Sequence, residues 1–405
     1  MRPLNLEEPI WTHYKWHQIA QWPVFMMPFR PFFLLASIWS VIAVSVWVMV
    51  LSGDFQWQAT LPATLWHAHE MIFAFAGAIA VGFLLTAAQT WTNIPTLSGA
   101  KLMVLVFIWA ATRLIFILYP HLLPLVILGQ LAFWLSAIVC LSNMLIGAKS
   151  KNNYPFIAVL TALCVFNMLF LLLSAQGNFA SARTFSQLAV LGFMLLIGMV
   201  GGRVIPFFTA RGLKLDHQVR TPHLDKALRV VSVLGMCGFA LSQLFNVALN
   251  PGYLIVLGAT IHLLRSGLWF NPDIRYVPLL WSLHLGYLLA AIGLLLCGLS
   301  FFIAIIRFTD ALHLITLGGI GLTILAMIAR VSLGHTGRVL SAGHTMSVAF
   351  MLLACGAVIR ALLPHFIGPH LAWFSSAVLW AAAFTLFSLS YFNVLTQKRV
   401  DGRRG

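Results

Sequence analysis

Apolar runs of about twenty residues, separated by short basic or turn-rich loops, recur along nearly the whole chain. A run of that length is what an α-helix needs to cross the hydrocarbon of a bilayer. Such runs fall near residues 32–52, 65–90, 101–119, 122–147, 155–174, 185–208, 228–249, 252–271, 277–302, 310–332, 340–363 and 369–395. Composition agrees: 61% of the 405 residues are hydrophobic and 8% charged, against roughly a quarter charged in soluble domains. The expected fold is therefore all-α, a polytopic membrane protein of about twelve transmembrane helices. It divides into an N-terminal segment (1–31), a single membrane domain (32–395) and a basic tail (396–405).

The formal charge of +15 comes from Lys and Arg in short loops rather than a patch interleaved with aromatics, so it reports topology and not a nucleic-acid partner. With both termini cytoplasmic, the inner loops hold most of the basic residues, including Arg211, Lys214, Arg220 and Lys226, and the outer loops hold only Arg183 and Arg307. The first thirty residues lack the basic-then-apolar plan of a cleaved signal. All five cysteines lie inside apolar runs without a CxxC pair and read as small buried hydrophobes. The ends of the sixth and tenth spans, Arg203–Arg211 and Arg330–Arg338, are weakly alike and stand four helices apart, a hint of three four-helix units.

Charged and imidazole side chains inside a bilayer are costly, so each is a functional candidate. The second span opens with Trp66-His67-Ala68-His69-Glu70 and the tenth with Thr309-Asp310-Ala311-Leu312-His313, where Thr309 suits an N-cap and Asp310 the first turn. Both spans enter from outside, so the clusters share a depth. Two imidazoles from facing helices at one level are the arrangement that clamps an iron porphyrin or a copper ion. His67 and His69 point about 200° apart on a helix, so one is the expected ligand, His69 by preference, with His313 as its partner. The other serves a second centre, bonds Glu70, or simply caps the helix start.

His284 lies about 10 Å in from the cytoplasmic edge by helical rise, and on the order of 15 Å from the His69–His313 level. It is expected to serve a separate site as ligand or hydrogen-bond donor, with Tyr287 one turn on. His262 with Arg265 reads more as a polar seam. His335 is equally a ligand or a loop residue. Arg203 and Arg330 suit haem propionates or snorkel to the inner interface. Gly318, Gly319 and Gly321 admit a flat macrocycle or, more simply, a neighbouring helix.

The chain resembles the NnrS family of bacterial membrane proteins. The likeness is carried by Phe29-Arg30-Pro31-Phe32-Phe33, Trp66-His67-Ala68-His69-Glu70 with Gly82-Phe83-Leu84-Leu85-Thr86, and Gly201-Gly202-Arg203 with Ile205-Pro206-Phe207-Phe208-Thr209. Leu283-His284-Leu285-Gly286-Tyr287, Ala311-Leu312-His313 and Leu333-Gly334-His335-Thr336-Gly337-Arg338 complete it. The resemblance implies haem and copper cofactors, a link to nitric oxide stress and a place in the bacterial cytoplasmic membrane. Histidines in the second and tenth of twelve spans also look like the catalytic subunit of haem-copper oxidases. This chain, however, has no adjacent His-His pair and no His-Pro-Glu motif, and its His284 and Tyr287 are three apart.

Three functions are compatible with these features. The first is a haem protein that binds or converts nitric oxide or its iron-nitrosyl products, with electrons from an unidentified donor. The second is a transporter or channel for a small anion or metal chelate. The third is a metal-based sensor whose basic loop from Arg211 to Lys226 meets a partner or anionic membrane lipid.

Overall fold

The computed structural model describes residues 21–57 and 61–402. Its long helices are α1 (Phe29–Ser52), α2 (Ala63–Thr92), α3 (Gly99–Leu118), α4 (Leu123–Gly147), α5 (Tyr154–Ala175) and α6 (Phe179–Gly212). They continue with α7 (Pro222–Phe245), α8 (Gly252–Trp269), α9 (Pro278–Leu299), α10 (Phe308–His335), α11 (His344–Leu362) and α12 (Pro369–Thr396). Among the described residues there is no strand. Eleven of these helices have the length and apolarity to cross a membrane. The remaining one, α8, carries His262 and Arg265 within its 18 residues. The chain is a polytopic membrane protein.

Local chemistry sets the helix ends. Prolines open α4, α5, α7, α9 and α12 in the first turn, where a missing N–H costs nothing. Asn93 and Asn246, in left-handed conformation with φ of 56° and 52°, close α2 and α7. Thr309 does not cap α10; Arg307 occupies that position and no side chain bonds there.

Short connections make successive helices antiparallel, so α2, α6 and α10 run in one direction. α2 and α6 are the most buried, followed by α9 and α10. α2 packs on α1, α4 and α6; α6 on α5, α7, α9 and α10; α10 on α9, α11, α12 and α1. The pairing of α12 with α1 closes the ring. The packing thus has a pattern of three units, α2–α5, α6–α9 and α10–α12 with α1, each contributing its first helix to the centre.

Two of the central helices share an irregularity. α2 becomes a π-helix over Glu70–Ala76, directly after His69, and α10 does so over Leu314–Gly321, directly after His313. Such segments offset the side chains on either side and concentrate at functional sites. Gly319 and Gly321 lie against Ala290 and Trp380, where an added Cβ would come within 2.7 Å and 2.5 Å. Gly318 meets Leu289 at 3.0 Å. These glycines therefore serve helix packing, and the macrocycle expectation for them is set aside.

Candidate functional site

Each unit encloses a guanidinium, a carboxylate and an imidazole. In the first, Glu70 is fully buried and accepts hydrogen bonds from Trp39 Nε1 at 2.6 Å, Arg113 Nη1 at 2.7 Å and His69 Nδ1 at 2.8 Å. Gln130, in the amide orientation that satisfies its neighbours, accepts from Arg113. His69 Nε2 lies 3.0 Å from Asn167 Oδ1. Both ring nitrogens of His69 are therefore engaged within α2–α5, and Phe73, Phe116 and Phe170 wall the ring in.

In the second unit, Arg265 is fully buried and reaches Asp225 Oδ1 and the Gly198 carbonyl, each at 2.9 Å, and the Tyr287 hydroxyl at 2.8 Å. Because Arg265 donates to that oxygen, the Tyr287 O–H is free to donate to His262 Nδ1 at 2.8 Å. The glycines of α6 make room for this cluster. A Cβ on Gly202 would sit 2.1 Å from Arg265 Nη2, and one on Gly201 would sit 3.0 Å from the Tyr287 ring. Tyr287 thus belongs with His262 and Arg265 rather than His284, and the seam expected at His262 is a buried network of those three residues that ends on the partly exposed Asp225.

His284 instead bridges α9 to α6. Thr209 Oγ1 donates to the Ile205 carbonyl at 2.8 Å, which leaves it to accept from His284 Nε2 at 2.8 Å.

The third unit lies at the same end of the bundle as the first. Arg360 donates to Asp310 Oδ1 at 2.8 Å, and its Nη2 stands 3.4 Å from His313 Nε2. His313 Nδ1 donates to the Thr309 carbonyl at 2.6 Å. That bond fixes the tautomer: the proton is on Nδ1 and the lone pair on Nε2, the arrangement found in metal-binding histidines. His67 is the electrostatic neighbour of both His313 and Arg360. Its ring stacks on Trp47 with centroids 4.9 Å apart, and its Nδ1 is buried without a hydrogen-bond partner.

The expected pairing of His69 with His313 is therefore corrected. His69 faces α3, α4 and α5, whereas His67 projects to the side of α2 that lies within electrostatic reach of His313. The reason is angular: residues two apart project to opposite sides of α2, and Glu70 with Arg113 holds the His69 side inside the first unit. Among the described residues, no group of three or more His, Cys, Asp or Glu side chains converges as a ready metal site.

At the basic end, Arg203 is exposed and donates to the Asn152 carbonyl at 2.9 Å and to Asn153, with its guanidinium over Phe156. It is committed to anchoring α6 to α5. Arg330 is buried, with its guanidinium 3.9 Å above Phe208. His335 packs against Phe29, and its carbonyl accepts from Arg399 at 2.7 Å, so it belongs to the junction of α10 with the C-terminal tail.

A model of the family described as NnrS protein matches residues 23–399. The chain belongs to the NnrS family. Membership supports a membrane protein connected with nitric oxide stress. Comparison with curated proteins returns no match. Two of the motifs that carried the NnrS likeness pack on each other. Thr86 Oγ1 accepts from the Phe29 backbone N–H at 3.2 Å, and a Cβ on Gly82 would meet Phe32 at 2.9 Å. A third motif is divided between sites, His69 and Glu70 going to the first unit and His67 to the third.

Arg113 and Arg360 were not among the sequence candidates. Arg113 sits within an apolar run and Arg360 in the last turn of α11, neither beside an acid in sequence, and each is found only through the acid it meets across the bundle.

Proposed function

We propose that this NnrS-family protein is a metalloprotein of the bacterial cytoplasmic membrane that acts in the nitric oxide stress response, and that His67 and His313 hold its metal. One observation carries the reading. At the end opposite the basic face, the Thr309 carbonyl fixes the lone pair of His313 on Nε2, and a second imidazole within its electrostatic reach has a buried Nδ1 with no partner.

The donor chemistry fits copper or a haem iron, both of which imidazole suits. With no third protein donor converging among the described residues, the remaining coordination positions fall to a porphyrin or to small ligands. The central cavity, at about 80 Å³, is well below the roughly 300 Å³ from which small-molecule pockets start. The haem reading therefore attaches to the histidine pair and not to that cavity.

When bound, the metal supplies a site for nitric oxide or an iron-nitrosyl product and a route for one electron. The chain's own residues set the surroundings. Asp310 keeps Arg360 Nη2 3.4 Å from His313 Nε2, so a metal taking that lone pair requires the guanidinium to swing aside, from where it would favour an anionic ligand on the metal. Glu70 and Arg113 hold the start of α2, and with it His67, in place.

Purified protein should show a haem or copper absorption that changes on adding nitric oxide. His313→Ala and His67→Ala should each lower the metal content, while His69→Ala should leave metal bound to whatever protein folds. Metal retained in full by both the His313 and His67 variants contradicts the reading.

A further inference from the structure

The three central helices meet towards one end of the bundle and part towards the other. α6 packs on α2 over Ala63–Ala76 and on α10 over Leu314–Gly321, but it barely touches Gly77–Thr92 or Leu322–His335. The divergence thus begins where the two π segments end. In the wedge lies the central cavity, about 80 Å³ in volume, with Ala76 and Ala80 of α2, Gly201 of α6 and Ile320 of α10 in its wall. Along α10 that wall runs from Ile320 to Ile328, the middle of a helix that spans Phe308–His335. The cavity therefore sits near the mid-level of the membrane.

Its lining selects the occupant. Only Tyr287 and Thr323 bring a side-chain oxygen or nitrogen to the wall. The Tyr287 oxygen is spent on Arg265 and His262. Thr323 Oγ1 is buried with no hydrogen-bond partner among the described residues, beside the gap that Gly286 leaves on α9, where a Cβ would come within 2.7 Å of it. An ordered water needs about two to four polar partners, and an apolar cavity that cannot supply them stays dry. An ion would find no counter-charge there. Volume removes larger guests, since the cavity is roughly half the ~150 Å³ that accepts benzene. A neutral diatomic gas needs no charge and no more than one weak hydrogen bond, and leaving water for apolar walls favours it.

We propose that this cavity is a binding site for a neutral diatomic gas, nitric oxide foremost, held at mid-membrane before it reaches the histidine pair. The choice of nitric oxide rests on the proposed function; the small, dry, apolar character of the site does not. Nitric oxide is neutral and concentrates in hydrocarbon rather than water, and the cavity stands at that level. The remaining distance is short. Ala76 lies nine residues beyond His67 on α2 and Ile320 seven beyond His313 on α10, about 10–14 Å by helical rise. Both belong to the π segments that follow those histidines, so one irregularity in each helix serves the imidazole at its start and the cavity at its end.

The test is diffraction from crystals of the parent and of Ala80→Leu under pressurised xenon, which enters dry apolar cavities and reveals itself by anomalous scattering. A xenon peak between Ala80 and Thr323 is expected in the parent and none in Ala80→Leu, whose larger side chain fills the space. If size-exclusion profiles show that this variant does not fold, Ile324→Phe fills the same space from α10 and decides instead. In metal-loaded protein, flash photolysis of bound nitric oxide should give a slow rebinding phase from the cavity, and the filled variant should lose that phase with its metal content unchanged. No xenon peak in the parent, a peak that survives filling, ordered water or a lipid chain in the cavity of untreated crystals, or a slow phase that filling leaves intact overturns the proposal. Protein that holds no haem or copper removes the metal reading alone, because the xenon measurement needs no metal and still decides the gas site.

Discussion

Replacing Glu70 with Gln removes one charge from the most enclosed polar cluster of the bundle. The carboxylate accepts from Trp39, Arg113 and His69 at 2.6, 2.7 and 2.8 Å, and every residue of that set except Trp39 is at most 1% exposed. The amide keeps one acceptor oxygen but turns the other position into a donor facing a donor, and it leaves Arg113 without a counter-charge. Breaking a buried pair from one side costs about 3–5 kcal/mol, an amount comparable with the whole stability of many domains. Arg113→Met alone should cost a similar amount by stranding the carboxylate. The double variant should cost much less than the sum, because removing both charges also removes both desolvation penalties. Unfolding in mixed detergent micelles, followed by far-ultraviolet circular dichroism, measures all four corners of the cycle. Additive single effects, or a Glu70→Gln variant as stable as the parent, would refute the argument that this cluster holds the start of α2.

Other outcomes follow from the same geometry. Gly202→Ala places a methyl 2.1 Å from Arg265 Nη2 and should cost about 1–3 kcal/mol through overpacking, read in the same unfolding assay. Tyr287→Phe deprives Arg265 and His262 of a partner each and should cost about 1–3 kcal/mol, with metal content unchanged. Asp310→Asn releases Arg360 from its carboxylate and should change the nitric oxide-bound spectrum while the His284→Ala spectrum stays as the parent's. A reporter fused after Arg404 should be cytoplasmic, as the distribution of Lys and Arg between loops requires; an external reporter would reverse the bundle.

The membrane architecture was legible because hydrocarbon thickness imposes one length on every span. The start of α6 was placed at residue 185 and lies at Phe179, since Ser, Arg and Thr there interrupt the apolar run without ending the helix. Site positions were legible only singly. Glu70 meets His69 as its isolation in the sequence required, but the choice between His67 and His69 turned on Arg113, Gln130 and Asn167, which reach the cluster from three other helices. The π segments were not legible, since their apolar sequences differ in no evident way from an α-helical run. Tyr287 was assigned to His284 by proximity in sequence, whereas the gap left by Gly198, Gly201 and Gly202 draws it to His262 and Arg265.

The most direct test of the central claim is pulsed electron paramagnetic resonance on the metal-loaded protein, counting the imidazole nitrogens coupled to the paramagnetic centre. Two histidine ligands are expected in the parent and in His284→Ala, and one in His313→Ala and in His67→Ala. An unchanged imidazole count after loss of His313 would contradict the assignment and place the metal elsewhere in the bundle.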